Sequence, residues 1–195
     1  IYIVLFEFII PTNGFIPKPT DLYLSTIDLI KIYNLPSNML ITASAIILGI
    51  ICSYIITELF SGILVKSFLK FEVLKEIALG SKYIPIFFFP VLISFWLHEF
   101  IWAEYLLAFI IAGYFFKSRI AQKMDSYNYE YIQAAKSLKI SNNIIASEII
   151  WKNIKPKVYK NISSILILMW LVIIAYEYIT ADFGVGYIYR AAIEY

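Results

Sequence analysis

Few side chains in this sequence could do acid–base chemistry within apolar surroundings, and two glutamates are the main candidates. Glu104 lies near the start of one apolar run, and Glu177 lies near the end of another, seven residues before Gly184 and nine before Gly186. An ionisable group is costly to hold in such surroundings, which makes it a functional candidate. For Glu177 a functional role and a solvated interfacial carboxylate are both open, whereas for Glu104 we expect the solvated position.

Metal and nucleophile chemistry has little support in the sequence. There is one His and one Cys, so neither an internal disulfide nor a Cys-based metal site is possible. His98-Glu99 falls at a turn between apolar runs, where we expect it to be solvated, and Cys52 is expected to pack between helices. The sequence contains no Gly-rich phosphate loop, serine nucleophile elbow or paired metal-ligand spacing. We therefore expect no catalytic, cofactor-binding or metal-binding residue and no ATP hydrolysis by this chain.

The composition indicates what must position these residues. The apolar fraction is 61% and the mean hydropathy is +0.77, whereas soluble domains are about 45–50% apolar. The excess must face lipid, and aromatic residues at 18% of the chain suit the anchoring of two membrane interfaces. The composition therefore predicts an all-α, polytopic transmembrane bundle, with residues 1–195 forming a single membrane domain that we expect to be truncated at both ends.

Apolar runs predict five spanning helices, with a sixth expected beyond the C-terminal end. The clearest run, Met39–Phe60, contains small residues that permit close helix contact: Ala43, Ser44, Ala45 and Gly49. Thr20-Asp21 can cap a short external helix before it. The third and fourth runs are each shorter than the ~20 residues a span needs, so we favour a hairpin, with a tilted or re-entrant segment as the alternative. The predicted spans are Ile1–Ile10, Met39–Phe60, Ile84–Leu97, Ile101–Phe116 and Ile162–Ile179.

The distribution of basic residues predicts the orientation. Of 16 Lys and Arg, nine lie in Lys117–Lys160 and four in Ser61–Tyr83. Alternation of the spans puts these two segments on the same side, which the positive-inside rule makes cytoplasmic. The cations are accounted for by orientation, so no nucleic-acid partner is expected, whereas binding to anionic membrane lipid and docking of a partner protein can coexist with that role.

The cytoplasmic segment 117–160 itself predicts two short helices joined by a corner. Asp125 or Ser126 can cap the first helix, which ends near Leu138. After the corner at Lys139-Ile140-Ser141, a second helix is expected from Ser141 or Asn142 to about Lys152. Such a helical elbow at the membrane face is a surface for a partner protein.

The elbow resembles a known sequence motif. Gln133-Ala134-Ala135-Lys136-Ser137-Leu138, with Ile149 sixteen positions and Pro156 twenty-three positions after Gln133, is similar to the EAA loop of bacterial ABC importer permeases. Gln133, Lys139 and Lys152 depart from the motif, which usually has Glu, Gly and Pro there. If the corner needs a positive φ, Lys139 costs roughly 1 kcal/mol. The resemblance implies that the loop contacts a cytoplasmic ATPase through Gln133, Ala134, Ala135, Ser137, Leu138, Lys139, Ile145 and Ile149.

Two further segments are similar to the nitrate, taurine and aliphatic-sulfonate branch of that family. They are Ile16-Pro17-Lys18-Pro19-Thr20-Asp21, and Glu177 with Gly184-Val185-Gly186-Tyr187. The resemblance implies a type I importer permease in the inner membrane. Its partners would be a second permease copy, ATP-Mg-binding ATPase subunits and an external binding protein that delivers a small anion or a vitamin precursor. The residues implied in the pathway or its gating are Glu177, Gly184, Gly186 and Trp170. The departures keep open an alternative, a structural or assembly subunit that has lost transport.

Overall fold

The computed structural model describes residues 17–97, 100, 102–125, 129–160 and 162–194. This part of the chain is helical and contains no strand, which confirms the all-α prediction. The predicted span Ile1–Ile10 and the His98-Glu99 turn lie outside the described residues. The helices are α1 Pro19–Lys31, α2 Leu35–Lys70, α3 Glu72–Gly80, α4 Phe88–Trp96, α5 Ala103–Asp125, α6 Tyr129–Ser137, α7 Asn142–Ile144, α8 Lys152–Tyr159, α9 Ile162–Thr180 and α10 Val185–Glu194, with a 3₁₀ turn at Ser81–Tyr83 and a π-helix at Ile145–Trp151.

Helix α2 is much longer than the predicted span Met39–Phe60. It has 36 residues and, at about 1.5 Å per residue, is ~54 Å long. It starts early because a proline lies in its first turn, where the missing N–H costs nothing. It continues through Gly62, where a Cβ would stand 3.4 Å from the Ser147 Cβ, an ordinary van der Waals contact. The predicted loop Ser61–Tyr83 is therefore rigid helix up to Lys70.

Helices α2 and α9 are long and apolar enough to cross a membrane, by length and composition. Their most apolar windows are 28% and 33% buried, so most of these apolar side chains face outward. This outward exposure differs from the core helix of a soluble protein, which buries its apolar residues.

The two runs predicted to form a hairpin, Ile84–Leu97 and Ile101–Phe116, contain helices of unequal length, and the shorter one falls below the ~20 residues of a span. Helix α4 has nine residues and α5 has 23. Pro90 falls in the first turn of α4, so the helix starts only after the irregular segment around Pro85. Helix α5 instead continues past its apolar run to Asp125, on which Lys75 forms a 3.0 Å ion pair. Asp125 thus lies within α5, and the other predicted cap of the next helix, Ser126, lies outside the described residues.

The core of the described chain forms where α2 crosses α5. A Cβ on Gly49 would stand 2.6 Å from the Cβ of Ala108, so the two backbones approach as closely as the small residues predicted. Two hydrogen bonds tie the helices together: Ser53 Oγ donates to the Phe109 carbonyl at 2.7 Å, and Ser44 Oγ lies 2.9 Å from the Tyr105 hydroxyl. This contact fixes α2 relative to α5 between the two ends of the molecule.

Helix α1 lies outside this core. It starts at Pro19, with Lys18 at the N-cap, and not at a cap formed by Thr20-Asp21. The fixed φ of proline suits the first helical position, which explains the shift. No side chain of α1 is buried, and its predicted interfacial or external location stays a prediction.

Candidate functional site

The corner of the elbow is a helix C-terminal motif with a lysine at its left-handed position. Lys139 has φ 58°, its N–H donates to the Lys136 carbonyl at 2.9 Å, and the Ile140 N–H donates to the Ala135 carbonyl at 3.2 Å. This pair of bonds is the Schellman motif, which normally places Gly at that position. The positive φ that the sequence raised as a condition is therefore present, at a cost of about 1 kcal/mol.

The residues predicted to contact an ATPase divide between two faces of the elbow. Leu138 is 74% exposed at the tip of the corner. Ala135 and Ile145 are buried, and Ile149 is half-buried. The inward members fix the elbow to the protein, and the outward members present a surface with an apolar tip, formed by Gln133, Ala134, Ser137, Leu138 and Lys139.

The second arm of the elbow does not end near Lys152 as predicted. The helical chain runs from α7 through the π-helix into α8, and Pro156 lies inside α8. The proline lacks an N–H and so removes one helical hydrogen bond. Ile154 and Val158, on either side of it, are fully buried, and their burial offsets that loss.

The second arm is fixed to α2 by an ion pair. Lys155 Nζ lies 3.0 Å from the Glu58 carboxylate, and this hydrogen-bonded partner raises the pKa of Lys155 above its usual value. At the same contact, Tyr159 packs against Tyr54 with the rings tilted by 59° and 4.9 Å between ring centroids. Burial raises the pKa of the Tyr159 phenol well above its usual range.

The second arm is also fixed to α5 and α9. Arg119 donates from Nη1 to the Val158 carbonyl at 3.2 Å and from Nη2 to Ser164 Oγ at 3.0 Å. Phe116 packs edge-on against Tyr159, with 5.4 Å between ring centroids. A displacement of the elbow would therefore act directly on three long helices.

Glu177 forms a second site at the opposite end of α2, which we call the glutamate clamp: Glu177, Thr42, Asn38, Gly184 and Gly186. Glu177 is 1% exposed, which excludes the solvated carboxylate as an interpretation. Its Oε1 accepts a 2.5 Å hydrogen bond from Thr42 Oγ1, and its Oε2 accepts a 2.8 Å bond from the Gly186 N–H. The carboxylate therefore joins α2, α9 and the first turn of α10.

The two glycines of the clamp are required by geometry. Gly184 has φ 94°, and a Cβ there would overlap the Glu177 carboxyl group. A Cβ on Gly186 would stand 2.6 Å from the Tyr178 nitrogen and would overlap the Ile174 carbonyl. The spacing from Glu177 to these glycines thus encodes a turn that closes around the carboxylate.

Sequence analysis missed Asn38 and Thr42 as members of the clamp. Asn38 Oδ1 accepts from the Gly184 N–H at 2.8 Å, and Thr42 Oγ1 accepts from the Val185 N–H at 3.1 Å. The two residues lie four apart at the start of a long apolar helix, and therefore on one face. Two polar side chains on one face of an apolar helix are the sequence pattern by which these residues could have been identified.

Glu104 is buried beside the clamp, which corrects its predicted solvated position. It is 5% exposed, at the first turn of α5, close enough to Glu177 for the two carboxyl groups to interact electrostatically, and its Oε1 is buried without a hydrogen-bond partner in the described chain. It is buried because α5 packs against α9 and α2 from its first residues. Among the described residues, no group of three or more His, Cys, Asp and Glu is arranged to hold a metal ion.

Trp170 is the one predicted pathway residue outside the clamp. It is half-buried in α9, two turns before Glu177, where it packs against the edge of the apolar core. No protein-family model, no curated protein and no solved structure matches this chain. Its function must therefore be inferred from the elbow, the clamp and the sequence motif.

Proposed function

We propose that this chain is the membrane-spanning permease subunit of an ATP-driven importer, with the elbow as the docking surface for a cytoplasmic ATPase. The observation that carries the proposal is the division of the elbow into two faces. One face exposes Leu138, while the other is fixed to α2 by Lys155 and Glu58. A docking element that transmits force needs both a free surface and a rigid attachment.

The motif at the corner adds to this support. The left-handed Lys139 occupies the position where the EAA loop usually has Gly, so the chain keeps the backbone shape of the motif without its usual residue. The outward-facing apolar residues of α2 and α9 favour a membrane location. In the proposed multi-span bundle of five or six helices, segments 61–83 and 117–160 face the cytoplasm.

The remaining parts of the importer follow from the same proposal. Two permease copies would form the solute path, ATP-Mg would be bound by the partner ATPase, and an external binding protein would deliver a small anion or a vitamin precursor. The clamp would set the position of α10 at the outer end of the path, with Glu177 acting through Gly184 and Gly186.

Copurification tests the ATPase contact. The chain is purified in a mild detergent from membranes of cells that express it at its native level. We expect an ATPase subunit to copurify and to be released by Leu138→Glu, because a charge replaces the exposed apolar tip. Leu24→Glu is the matched control, since Leu24 is 53% exposed on the distant helix α1, and it should retain the ATPase. An ATPase that stays bound to Leu138→Glu would contradict the proposed contact.

A structural or assembly subunit that has lost transport is the second candidate. The strained Lys139 corner favours it, because a less stable elbow would transmit force less well. The same purification distinguishes the two functions. Stable partners without any ATPase would support the assembly subunit and overturn the importer.

A further inference from the structure

A cleft between α2 and the second arm of the elbow has a volume of about 780 Å³. This volume lies within the range of small-molecule sites in proteins. Four lysines and two glutamates line the cleft, so its side chains carry a formal charge of +2: Glu58, Lys66, Lys70, Glu148, Lys152 and Lys155. An occupant that complements the cleft must carry negative charge.

The excess positive charge is concentrated on α2. Lys155 pairs with Glu58, and Lys152 pairs with Glu148 one helical turn away. Lys66 and Lys70 are exposed and form no ion pair with any carboxylate of the described chain. Because they lie four residues apart on one helix, their side chains leave α2 on the same face, and the Lys70 ammonium group lies 5.0 Å from the centroid of the Phe71 ring. Two adjacent ammonium groups are a suitable site for a phosphate group.

An apolar stripe leads along α2 to these lysines. Leu48, Ile55, Leu59 and Ile63 are exposed, and at ~100° per residue they share an arc of ~80° with Lys66 and Lys70. The stripe starts within the apolar window of α2 and ends at the cleft. A free phosphate ion would have no use for such a stripe. An acyl chain, by contrast, could lie along the stripe while its headgroup reaches the cations.

We propose that this cleft binds the phosphate headgroup of an anionic phospholipid from the cytoplasmic leaflet, with Lys66 and Lys70 as the phosphate ligands and the α2 stripe as the acyl-chain contact. Basic pockets beside spanning helices at the cytoplasmic face bind such headgroups in general. The cleft also touches the second arm of the elbow through Trp151 and Lys152. The lipid would therefore stabilise the elbow against α2. This inference rests on membrane insertion and not on coupling to an ATPase.

Native mass spectrometry of the full chain in detergent tests the site, with phosphatidylglycerol and phosphatidylcholine as probes. We expect phosphatidylglycerol to bind more tightly than phosphatidylcholine. The double substitution Lys66→Gln, Lys70→Gln should weaken phosphatidylglycerol about 30-fold, because two near-surface cations are lost. Lys18→Gln with Lys31→Gln removes the same charge from α1 and should leave binding unchanged. Lys66→Arg with Lys70→Arg keeps the charge and should bind as the wild type does, which separates charge loss from misfolding.

Three results would overturn the proposal. The first is that the glutamine variant binds phosphatidylglycerol as tightly as the wild type does, while circular dichroism shows that this variant has wild-type helical content. The second is displacement of the lipid by millimolar inorganic phosphate, which would make the ligand a free anion. The third is a cross-linked dimer of Ile63→Cys in a Cys52→Ser background, formed in lipid-saturated protein, which would show that a second copy covers the stripe. An intact elbow–ATPase contact alongside any of them would leave the importer proposal standing.

Discussion

The chain turns sharply between helices at residues 138–141 and again at residues 181–184, and each turn contains left-handed backbone. In the elbow, Lys139 adopts φ 58°, and the corner is closed by backbone hydrogen bonds while its side chains point outward. In the clamp, Ala181 and Gly184 are left-handed, and the turn closes around the buried carboxylate of Glu177. The turn of the elbow leaves its surface free for a partner, whereas the polar groups of the clamp turn hold helices together.

The largest effect is expected where the clamp has no free space. Gly186→Ala should lower the free energy of unfolding by about 3 kcal/mol, because the new methyl group overlaps backbone atoms that cannot rotate away. The free energy of unfolding is measured by titration in dodecylmaltoside–SDS mixed micelles. Gly80→Ala is the matched control, since no atom lies within 4 Å of its added Cβ, and it should be neutral or stabilising. Equal effects of the two substitutions would remove the steric account of the clamp.

The next effect tests the carboxylate itself. Glu177→Ala should cost about 2 kcal/mol, because it leaves the Gly186 N–H buried without its acceptor, while the Thr42 hydroxyl keeps only the Asn38 carbonyl at 3.1 Å. Glu177→Gln should cost less, since its amide oxygen can accept from Gly186 and its NH₂ group can donate to Thr42. The same micelle titration ranks them. If the glutamine and alanine variants are equally destabilised, the hydrogen bonds are not what the clamp depends on.

The elbow should respond in the opposite direction to glycine. Lys139→Gly is expected to stabilise the corner by about 1 kcal/mol, because glycine adopts positive φ without a Cβ penalty. Lys136→Gly, inside α6, is the control and should destabilise by a similar amount. Hydrogen exchange over residues 129–144 reports both changes. A slower-exchanging Lys136→Gly, or a faster-exchanging Lys139→Gly, would contradict the strain assigned to the corner.

The smallest effect concerns pH at the elbow's attachment to α2. Glu58 raises the pKa of Lys155 above 10.5, so the ion pair contributes stability below that pH and loses it as pH rises through the folded-state pKa. The stability difference between the wild type and Lys155→Gln should therefore be constant from neutral pH to pH 10.5 and become smaller above it. Lys157→Gln, at an exposed position in the same helix, should show no such pH dependence. A difference that does not decline at all as the pH is raised above 10.5 would mean that packing, and not the ion pair, holds this contact.

The sequence predicted the elbow better than the clamp for a physical reason. The elbow is local: its corner follows from residues within a few positions of Lys139, and the conditional need for positive φ could be stated in advance. The clamp joins Asn38 and Thr42 to Gly184 and Gly186, more than 140 positions away, and the partners depend on how α2 packs against α9. Glu104 was misplaced for the same reason, since its burial depends on tertiary packing.

Helix lengths show the same limit. Hydropathy found the apolar centre of α2, but it could not show that the helix continues to Lys70, because charged residues continue a helix as readily as apolar ones. Pro156 predicted a helix end that tertiary burial of Ile154 and Val158 overrides. The apolar pattern thus gives the centres of helices, and packing decides their ends.

The unbroken length of α2 makes it a lever. Its close contact with the backbone of α5, Gly49 on Ala108, is a natural pivot, with Thr42 ~10 Å away on one side and Glu58 ~14 Å away on the other. When α2 turns as a rigid rod about that point, a displacement of its end at the elbow moves its end at the clamp in the opposite direction. The displacement at the clamp is about three-quarters as large. In a molecule built in this way, a movement of one turn is transmitted directly to the other.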